Sequence, residues 1–358
     1  MPRSKRHHTV TKAYLAAFLE TGQEQLYCWG RNRAEPFRAC PDELAFERNY
    51  HSVKRPDGNW DDFPELFIAN RIEGPGLPVL RRLSDGSTRI TWKERSAFAL
   101  LLALQQLRVP AFRRVIENVD RELLCRLVRL YEAEAASGNE GPVILQTRRG
   151  EFRFTLDQLK AEVEQSRNEP GKRSLEMFIS LAFGSISRIY EHMRWTIHYA
   201  AGRTRFITSD CPVIWLFHEG PHGHASLSRR DVEVRFPLSG NAMLSLTHDA
   251  ALMEKLERST EKERQRVLCR LPEIRLAQMP DPTIECVNRA HASHATKWIF
   301  SGTKSTWISA VMAQPPKHIR TWLEEAPDWF RLGNTIQYDV SRDLSGEPHV
   351  PGAEFTAK

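Results

Sequence analysis

Cysteine is sparse in this chain and follows no paired spacing. The 358 residues include six cysteines, and no two of them form a Cys-x-x-Cys pair. They stand far apart, at positions 28, 40, 125, 211, 269 and 286. Isolated cysteines of this kind are typical of reduced thiols in a cytoplasmic protein. We therefore expect no disulfide framework.

Long apolar runs are missing as well. No stretch approaches the roughly 18 apolar residues of a membrane span. The basic start, Met1–Arg6, leads into a polar, histidine-rich segment, whereas a secretory signal would continue with an apolar core. We expect a soluble, cytoplasmic protein with no membrane partner. Glycine-rich loops of the dinucleotide or P-loop type are also absent, which counts modestly against nucleotide cofactors held in those ways.

The chain does contain an ordinary globular composition with a slight excess of positive charge. Hydrophobic residues make up 41% and charged residues 27%, which is enough for a substantial core. The formal net charge of +6 favours anionic partners, nucleic acid among them. Basic stretches such as 203–205 lack the interleaved aromatic residues of nucleic-acid surfaces, so a solvated face is the plainer interpretation. The sequence does not indicate an oligomeric state.

Hydrophobic periodicity divides the chain into a helical part and a β part. Helical patterns dominate residues 63–194, and short strands separated by turn residues dominate residues 195–302. This segregation predicts an α+β fold, in which a long helical segment precedes a mostly antiparallel sheet with flanking helices. We expect one domain over residues 1–340. The polar tail 341–358, with its glycines and prolines, is predicted to be disordered.

Capping residues and breaks place the individual elements. A first helix is predicted over residues 9–20, capped by the hydroxyl of Thr9 or Thr11. Thr91 and Glu94 form a capping-box pattern ahead of a helix that is apolar on nearly every side and should be buried. Strands are predicted at Gln25–Trp29, Pro36–Ala39, Val143–Thr147, Glu151–Phe154, Trp195–Tyr199, Arg205–Thr208, Val213–Phe217, Val232–Phe236, Ala242–Leu246 and Trp298–Phe300. Later helices are predicted at Leu252–Arg270, Thr283–Ala295 and Pro316–Glu325.

Two adjacent histidines, His7 and His8, are the first candidates for chemistry. Histidine titrates near neutrality and is a common metal ligand, so either residue suits a divalent metal site or acid/base catalysis. Adjacent side chains diverge, so both are not expected to ligate one metal ion. The alternative is a structural role, in which the pair packs and anchors the terminal segment.

Asp210 and Arg108 are the charged candidates further along the chain. Asp210 follows a predicted strand, where a functional carboxylate is common, but an aspartate in a turn also bonds local backbone amides. Arg108 ends the buried helix, so its guanidinium must pair with a carboxylate or receive an anion. Gln105 and Asn288 are candidate substrate-binding donors, with local backbone bonding as the alternative for each.

Two further groups of histidines are weaker metal candidates. His291 and His294 stand three residues apart on one predicted helix, without a third ligand at a useful spacing. A solvated helix face is the preferred interpretation. The loop 218–224 carries three histidines, and a glycine- and proline-containing turn is its plainer interpretation.

Together these residues resemble a family of bacterial proteins of unknown function, catalogue number 4238. The family opens with His-His-x-Val-Pro-x-x-Tyr-Leu-x-x-Phe, and the matching residues are His7, His8, Val10, Tyr14, Leu15 and Phe18. Thr11 stands in place of the family proline. A second motif, Thr-Ser-Asp-Asn-Pro, corresponds to residues 208–212, with Cys211 in place of asparagine.

The resemblance extends from about residue 5 to about residue 302. It includes an acidic helix, a helix that ends in Arg-x-Pro and a late helix with an asparagine. The corresponding residues are Glu65, Glu73, Gln105, Gln106, Arg108, Pro110 and Asn288. The resemblance implies no defined reaction, although roles in bacterial defence or mobile elements are suspected for such proteins.

The leading hypothesis is a hydrolase that acts on a phosphate-bearing substrate, possibly a nuclease-like bacterial defence or toxin effector. Its catalytic site joins His7 or His8 with Asp210 and Arg108. The histidine serves as acid/base or metal ligand, the carboxylate orients it or binds the metal, and the guanidinium stabilises negative charge. The alternative is a non-catalytic binding or regulatory protein, in which the same residues form a structural polar network.

Overall fold

A computed structural model shows an α+β fold, which confirms the predicted fold class. It describes residues 6–54, 59–136, 143–147, 150–168, 181–217, 229–249, 273–316 and 337–339, with a few single positions between them. Contacts divide the chain into two compact units. The first comprises residues 1–112, 178–222 and 230–319, and the second comprises 113–177, 223–229 and 320–358. A single domain over residues 1–340 stays a prediction, and the tail 341–358 lies outside the described residues.

The N-terminal segment begins with a short strand. Strand β1, Arg6–His8, pairs antiparallel with β4, Phe46–Arg48. Helix α1 spans only Lys12–Leu15 and continues as a 3-10 turn over Ala16–Phe18, so the helix predicted from residue 9 was too long. Neither threonine hydroxyl caps it as predicted. Thr9 donates to the carbonyl of Ala45 and Thr11 donates to Glu73. Both hydroxyls therefore bond to distant parts of the chain and not to the backbone N–H groups of the helix.

A four-stranded antiparallel sheet follows, with the strand order β10-β15-β2-β3. Its members are β2 Leu26–Gly30, β3 Phe37–Ala39, β10 Thr208–Ser209 and β15 Trp298–Ser301. A 3-10 turn, Pro41–Glu43, comes after β3. The strand predicted at Arg205–Thr208 is shorter and later than expected, because residues 205–207 bond to Asn288 and Gly240. The core here contains Trp29, Ile207, Ala292, Ala295, Ile299, Ile308 and Met312.

Residues 63–107 form the helical layer of the first unit. Helix α2, Phe63–Ile68, continues through a π-helical turn, Ala69–Glu73, into α3, Gly74–Ser84. Helix α4, Trp92–Leu107, starts with the predicted capping box between Thr91 and Glu94. It is buried along most of its length, as its apolar sequence predicts. Gly76 lets α3 approach α4 closely, because a Cβ there would lie 2.7 Å from the Cβ of Leu101.

The five-stranded sheet of the first unit has the order β11-β12-β13-β9-β14. Its strands are β9 Arg194–Ala200, β11 Ile214–Phe217, β12 Val232–Ser239, β13 Ala242–Thr247 and β14 Arg275–Met279. All neighbours are antiparallel except β14, which runs parallel to β9 and was not predicted. A further π-helical turn, Ala182–Ile186, and helix α7, Ser187–His192, precede β9. A separate two-stranded pair joins β5, Val53–Lys54, with β6, Trp60–Asp61.

Two helices complete the described part of the first unit. Helix α8, Asp281–His294, matches the predicted helix at Thr283–Ala295 closely. Helix α9, Trp307–Met312, was not predicted. Most of the helix predicted at Leu252–Arg270 and nearly all of that predicted at Pro316–Glu325 lie outside the described residues.

The second unit has a small sheet of its own. Strand β7, Val143–Thr147, pairs antiparallel with β8, Gly150–Phe154, as predicted, and parallel with β16, Gln337–Asp339. Helix α6, Leu156–Asn168, follows the hairpin. Leu127, from helix α5 at Pro110–Ala136, packs against Leu159 of α6. Helix α5 starts at Pro110, where the sequence predicts a break.

Candidate functional site

Strand β1 turns its two histidines in opposite directions. Consecutive side chains on a strand point to opposite faces, so His7 and His8 enter different surroundings. His7 is 1% exposed, whereas His8 is half-buried. The divergence predicted from their adjacency follows directly from the strand.

His7 belongs to a buried cluster with His51 and Glu65. The Nδ1 atom of His7 accepts a 2.9 Å hydrogen bond from the backbone N–H of His51. The Nδ1 atom of His51 lies 2.5 Å from Oε2 of Glu65, and that same oxygen lies 4.0 Å from Nδ1 of His7. The two imidazole rings are nearly parallel, with centroids 5.7 Å apart. One ligand atom from each residue lies within 4.8 Å of the others, so the three form a candidate metal centre.

Burial sets the protonation of this cluster. Burial lowers the pKa of His51 below its ordinary value, despite the hydrogen bond to Glu65 that raises it. Burial raises the pKa of Glu65, but its contact with His51 and the charge of Arg108 bring it below the ordinary value. The arrangement that fits both directions is a neutral His51 that donates its Nδ1–H to an ionised Glu65.

A second polar group surrounds the hydroxyl of Thr11. Thr11 donates a 2.9 Å hydrogen bond to Oε1 of Glu73 and accepts bonds from Gln105, at 2.7 Å, and from Nη2 of Arg108. Nη1 of Arg108 donates to the same Glu73 oxygen at 2.6 Å. The hydroxyl therefore uses its one donor and both acceptor sites. Arg108 is 1% exposed and takes the structural pairing with Glu73 that was one of its two predicted roles.

The α2–α3 segment supplies both carboxylates. Glu65 lies on α2, and Glu73 ends the π-helical turn that joins α2 to α3. A π-helical turn inserts an extra residue and re-aims the side chains after it, and such turns are frequent at functional sites. The segment thus presents one carboxylate to the histidines and the next to Arg108.

His8 is the accessible histidine of this corner. Its Nδ1 lies 3.2 Å from the carbonyl oxygen of Leu44, so Nδ1 carries the proton and donates it. The Nε2 atom has no hydrogen-bond partner among the described residues. Burial is the main cause that lowers the pKa of His8, and the charges of Arg108 and Lys12 lower it further. His8 is therefore neutral at pH 7, with the Nε2 lone pair available.

Asp210 lies in a different environment from the histidines. Its carboxylate accepts hydrogen bonds from the backbone N–H groups of Thr296, at 2.9 Å, and Lys297, at 2.8 Å, and from the Thr296 hydroxyl. Burial raises its pKa, although these bonds oppose the shift. Within the described part of the chain, no hydrogen bond or ion pair joins Asp210 to a histidine of β1 or to Arg108. The structure therefore does not show the predicted grouping with Asp210, because its oxygens already hold residues 296 and 297.

Asn288 is also committed to backbone. Its side chain accepts from the N–H of Ile207 at 3.2 Å and donates to the carbonyl of Arg205 at 2.8 Å. It thereby holds the segment before β10, which corresponds to the local backbone bonding given as its alternative. Gln105, the other candidate substrate-binding donor, bonds to the hydroxyl of Thr11.

The remaining histidines give one correction. His291 is 1% exposed, so the solvated face predicted for it was wrong. Within the described ranges, neither ring nitrogen of His291 has a hydrogen-bond partner, and burial lowers its pKa to about 3. His294 bonds to the carbonyl of Ala290 instead. The three-histidine loop 218–224 lies almost entirely outside the described residues.

His51 is the residue of the cluster that the sequence did not reveal. It stands alone, in a segment between two short strands, without a motif or a periodic pattern around it. Glu65 was already indicated by the family resemblance, but only the folded chain brings His51 next to it.

No helix in the described ranges has the length and apolar character that crossing a membrane requires.

The fold and the cluster define an α+β protein whose N-terminal strand carries a histidine–carboxylate site. The chain belongs to the family described as "Protein of unknown function (DUF4238)", whose model matches residues 6–305. This range includes every residue of the two polar groups and confirms the family resemblance. No curated protein and no solved structure matches the chain.

Proposed function

We propose that the protein is a hydrolase that acts on a phosphate-bearing substrate, with His8 as its acid/base group. The observation that carries the proposal is the state of His8. Its Nδ1–H is fixed by the carbonyl of Leu44, and its Nε2 is free of protein partners among the described residues. A backbone bond of this kind selects the tautomer and orients the ring, which leaves Nε2 to exchange a proton with substrate.

The electrostatic surroundings favour an anionic substrate. Arg108 and Lys12 both act on the imidazole of His8 as nearby positive charges. Arg108 cannot approach a substrate freely, because Glu73 and Thr11 hold it in place. It is therefore a positioning residue whose contribution is a fixed field, whereas Lys12 is exposed and free to meet a phosphate group.

The reaction balances with a single proton carrier. Water attacks the phosphorus atom while Nε2 of His8 takes one of its protons, and the bond from phosphorus to the leaving oxygen breaks. The imidazolium then returns that proton to the leaving oxygen, so His8 ends the cycle neutral. General acid–base catalysis of this kind contributes typically 10²–10⁴-fold to a rate.

Nucleic acid is the substrate class that we propose to test first, because the chain carries a net charge of +6. We further propose a cytoplasmic location, which is supported by the free thiols of Cys28, Cys40, Cys125 and Cys286. The test measures cleavage of single-stranded RNA and DNA, with and without divalent metal. It compares wild type with His8→Gln and, as control, with His192→Gln.

Loss of cleavage by at least about 100-fold in His8→Gln alone, with an unchanged melting temperature, supports the proposal. Cleavage by His8→Gln at the wild-type rate contradicts it, as does a folded wild type that cleaves neither polymer nor a small phosphodiester.

A non-catalytic binding or regulatory protein is the second candidate function. The observation that favours it is the saturation of the group around Thr11, where Gln105, Arg108 and Glu73 bond to one another through a buried hydroxyl. His7 is buried and bonded as well. A protein that binds nucleic acid in the same assay, without turnover in any condition, supports this second function.

A further inference from the structure

The cluster of His7, His51 and Glu65 has a chemistry that acid/base catalysis by His8 does not use. One donor atom from each residue lies within 4.8 Å of the other two. The histidines are buried, and the side chain of Glu65 is 31% exposed. The geometry points to a binding site for one divalent first-row transition metal ion of the zinc class, with these three side chains as ligands.

The donor set selects the class of metal. Two imidazoles and one carboxylate hold catalytic zinc in many hydrolases, and they leave a fourth position for water. Imidazole suits zinc and its first-row neighbours, whereas calcium and magnesium take oxygen ligands almost exclusively. With two nitrogen donors among three ligands, the cluster discriminates against Mg²⁺.

A second observation points to a ligand here. The Nε2 atom of His51 is buried and has no hydrogen-bond partner among the residues that the structure describes. A buried polar atom without a partner carries a desolvation penalty, which native structures rarely leave uncompensated. His51 thus has one nitrogen held by Glu65 and a second with an unused lone pair.

Metal uptake requires a small rearrangement and the loss of a proton. Ligands of one tetrahedral ion lie about 3.3 Å apart, since each bond is roughly 2.0–2.1 Å long. The 4.0 Å separation of His7 and Glu65 must therefore shorten, and the 2.5 Å contact of His51 with Glu65 must open. His7 must also release the backbone N–H of His51. Because protons compete for these ligands, acid weakens the affinity. The exposed part of Glu65 provides the entry path.

The metal site deepens the proposed function without depending on it. Water at the open position of such an ion is more acidic than free water and becomes a nucleophile near neutral pH. That consequence rests on the proposed hydrolase activity, whereas binding of the ion rests on the three ligands alone. The two claims therefore fail separately: metal binding without hydrolysis refutes only the hydrolase, and metal-independent hydrolysis with no binding refutes only the metal site.

The test uses Co²⁺ as the probe, because its visible absorption reports coordination. The full chain is stripped with chelator and titrated with Co²⁺, with calorimetry for stoichiometry. We expect one ion per chain and an absorption band typical of four or five ligands. Zn²⁺ should displace the Co²⁺, whereas Mg²⁺ at the same concentration should not. Glu65→Gln should bind at least about tenfold more weakly. Its amide oxygen still accepts from His51, so the fold is retained.

Two controls keep the outcome decisive. The triple variant His218→Gln, His222→Gln, His224→Gln removes the histidine loop and should bind Co²⁺ as wild type does. His7→Gln provides a second ligand variant, should Glu65→Gln fail to fold. Absence of Co²⁺ binding by the folded wild type overturns the proposal. Binding that is lost in the loop variant and unchanged in Glu65→Gln overturns it as well.

Discussion

Gln105 donates a 2.7 Å hydrogen bond to the hydroxyl of Thr11, a residue that precedes it by 94 positions. Arg108 donates to the same hydroxyl, and the hydroxyl donates to Glu73. One threonine thus joins the N-terminal segment to the end of α4 and to the π-helical turn.

Thr11→Val removes this junction with almost no change in shape. We expect a loss of roughly 2–4 kcal/mol in the free energy of unfolding, because one hydrogen bond from Gln105 and one from Arg108 lose their acceptor inside the fold. Chemical denaturation measures the loss. Thr9→Val is the matched control: its hydroxyl makes one hydrogen bond, to the carbonyl of Ala45, so it should lose about 1 kcal/mol. Equal losses in the two variants would contradict the account.

Arg108 and Glu73 form a largely buried ion pair, and removing Arg108 leaves the Glu73 carboxylate without its opposite charge. Arg108→Met should destabilise the protein by about 3–5 kcal/mol, and the double variant with Glu73→Gln should recover a large part of that loss. The control is Arg82→Met, which breaks an exposed pair with Glu94 and should change stability by less than about 1 kcal/mol. A double variant no more stable than Arg108→Met would show that the pairing is not the cause.

Asp210 receives three hydrogen bonds from residues 296 and 297, so we infer that it holds the chain at the start of β15. Asp210→Asn presents an amide N–H₂ to at least one of these donors, and we expect a loss of roughly 1–3 kcal/mol. Thermal unfolding measures it, with Asp42→Asn as an exposed control. A melting temperature that Asp210→Asn leaves unchanged would contradict this role.

His291 should make the protein acid-sensitive. Its folded pKa, about 3, lies below the ordinary value of 6.5, so the unfolded chain binds a proton that the folded chain refuses. This contribution to stability is complete above pH 6.5 and is lost as the pH falls toward 3, by up to about 1.4 kcal/mol per pH unit. His291→Leu removes it. Between pH 7.5 and 4.5 the variant should lose less stability than wild type, and parallel pH profiles would contradict the assignment.

The elements that sequence predicts best are those fixed by local chemistry. Thr91 and Glu94 specify the start of α4 by bonding to each other, three residues apart. The burial of His291 was also available from periodicity, because Ile284, Val287 and Asn288 place it on the same helix stripe. The prediction of a solvated face was wrong because this stripe of the helix is buried.

The candidate site was only partly predictable from the sequence, because its geometry depends on contacts between distant segments. His7, His8 and Arg108 carry recognisable signals, but the partners that define their chemistry come from elsewhere in the chain. His51 lies 44 residues from His7 and 14 from Glu65, and nothing in its own neighbourhood marks it. Asp210, which follows a predicted strand, carried a stronger local signal than His51. Its carboxylate oxygens nevertheless accept hydrogen bonds from backbone N–H groups. Contacts between distant segments depend on the fold, which local patterns do not specify.

The pH dependence of phosphodiester cleavage tests the role of His8 most directly. Burial and the neighbouring charges hold its pKa below 6.5, so the neutral base persists into mildly acidic solution. For the wild type, kcat/KM should therefore fall only below about pH 6.5. In His8→Gln this acidic limb should disappear, and the rate at pH 7.5 should drop by at least about 100-fold. An acidic limb that persists unchanged in folded His8→Gln would contradict the assignment of His8 as the acid/base group.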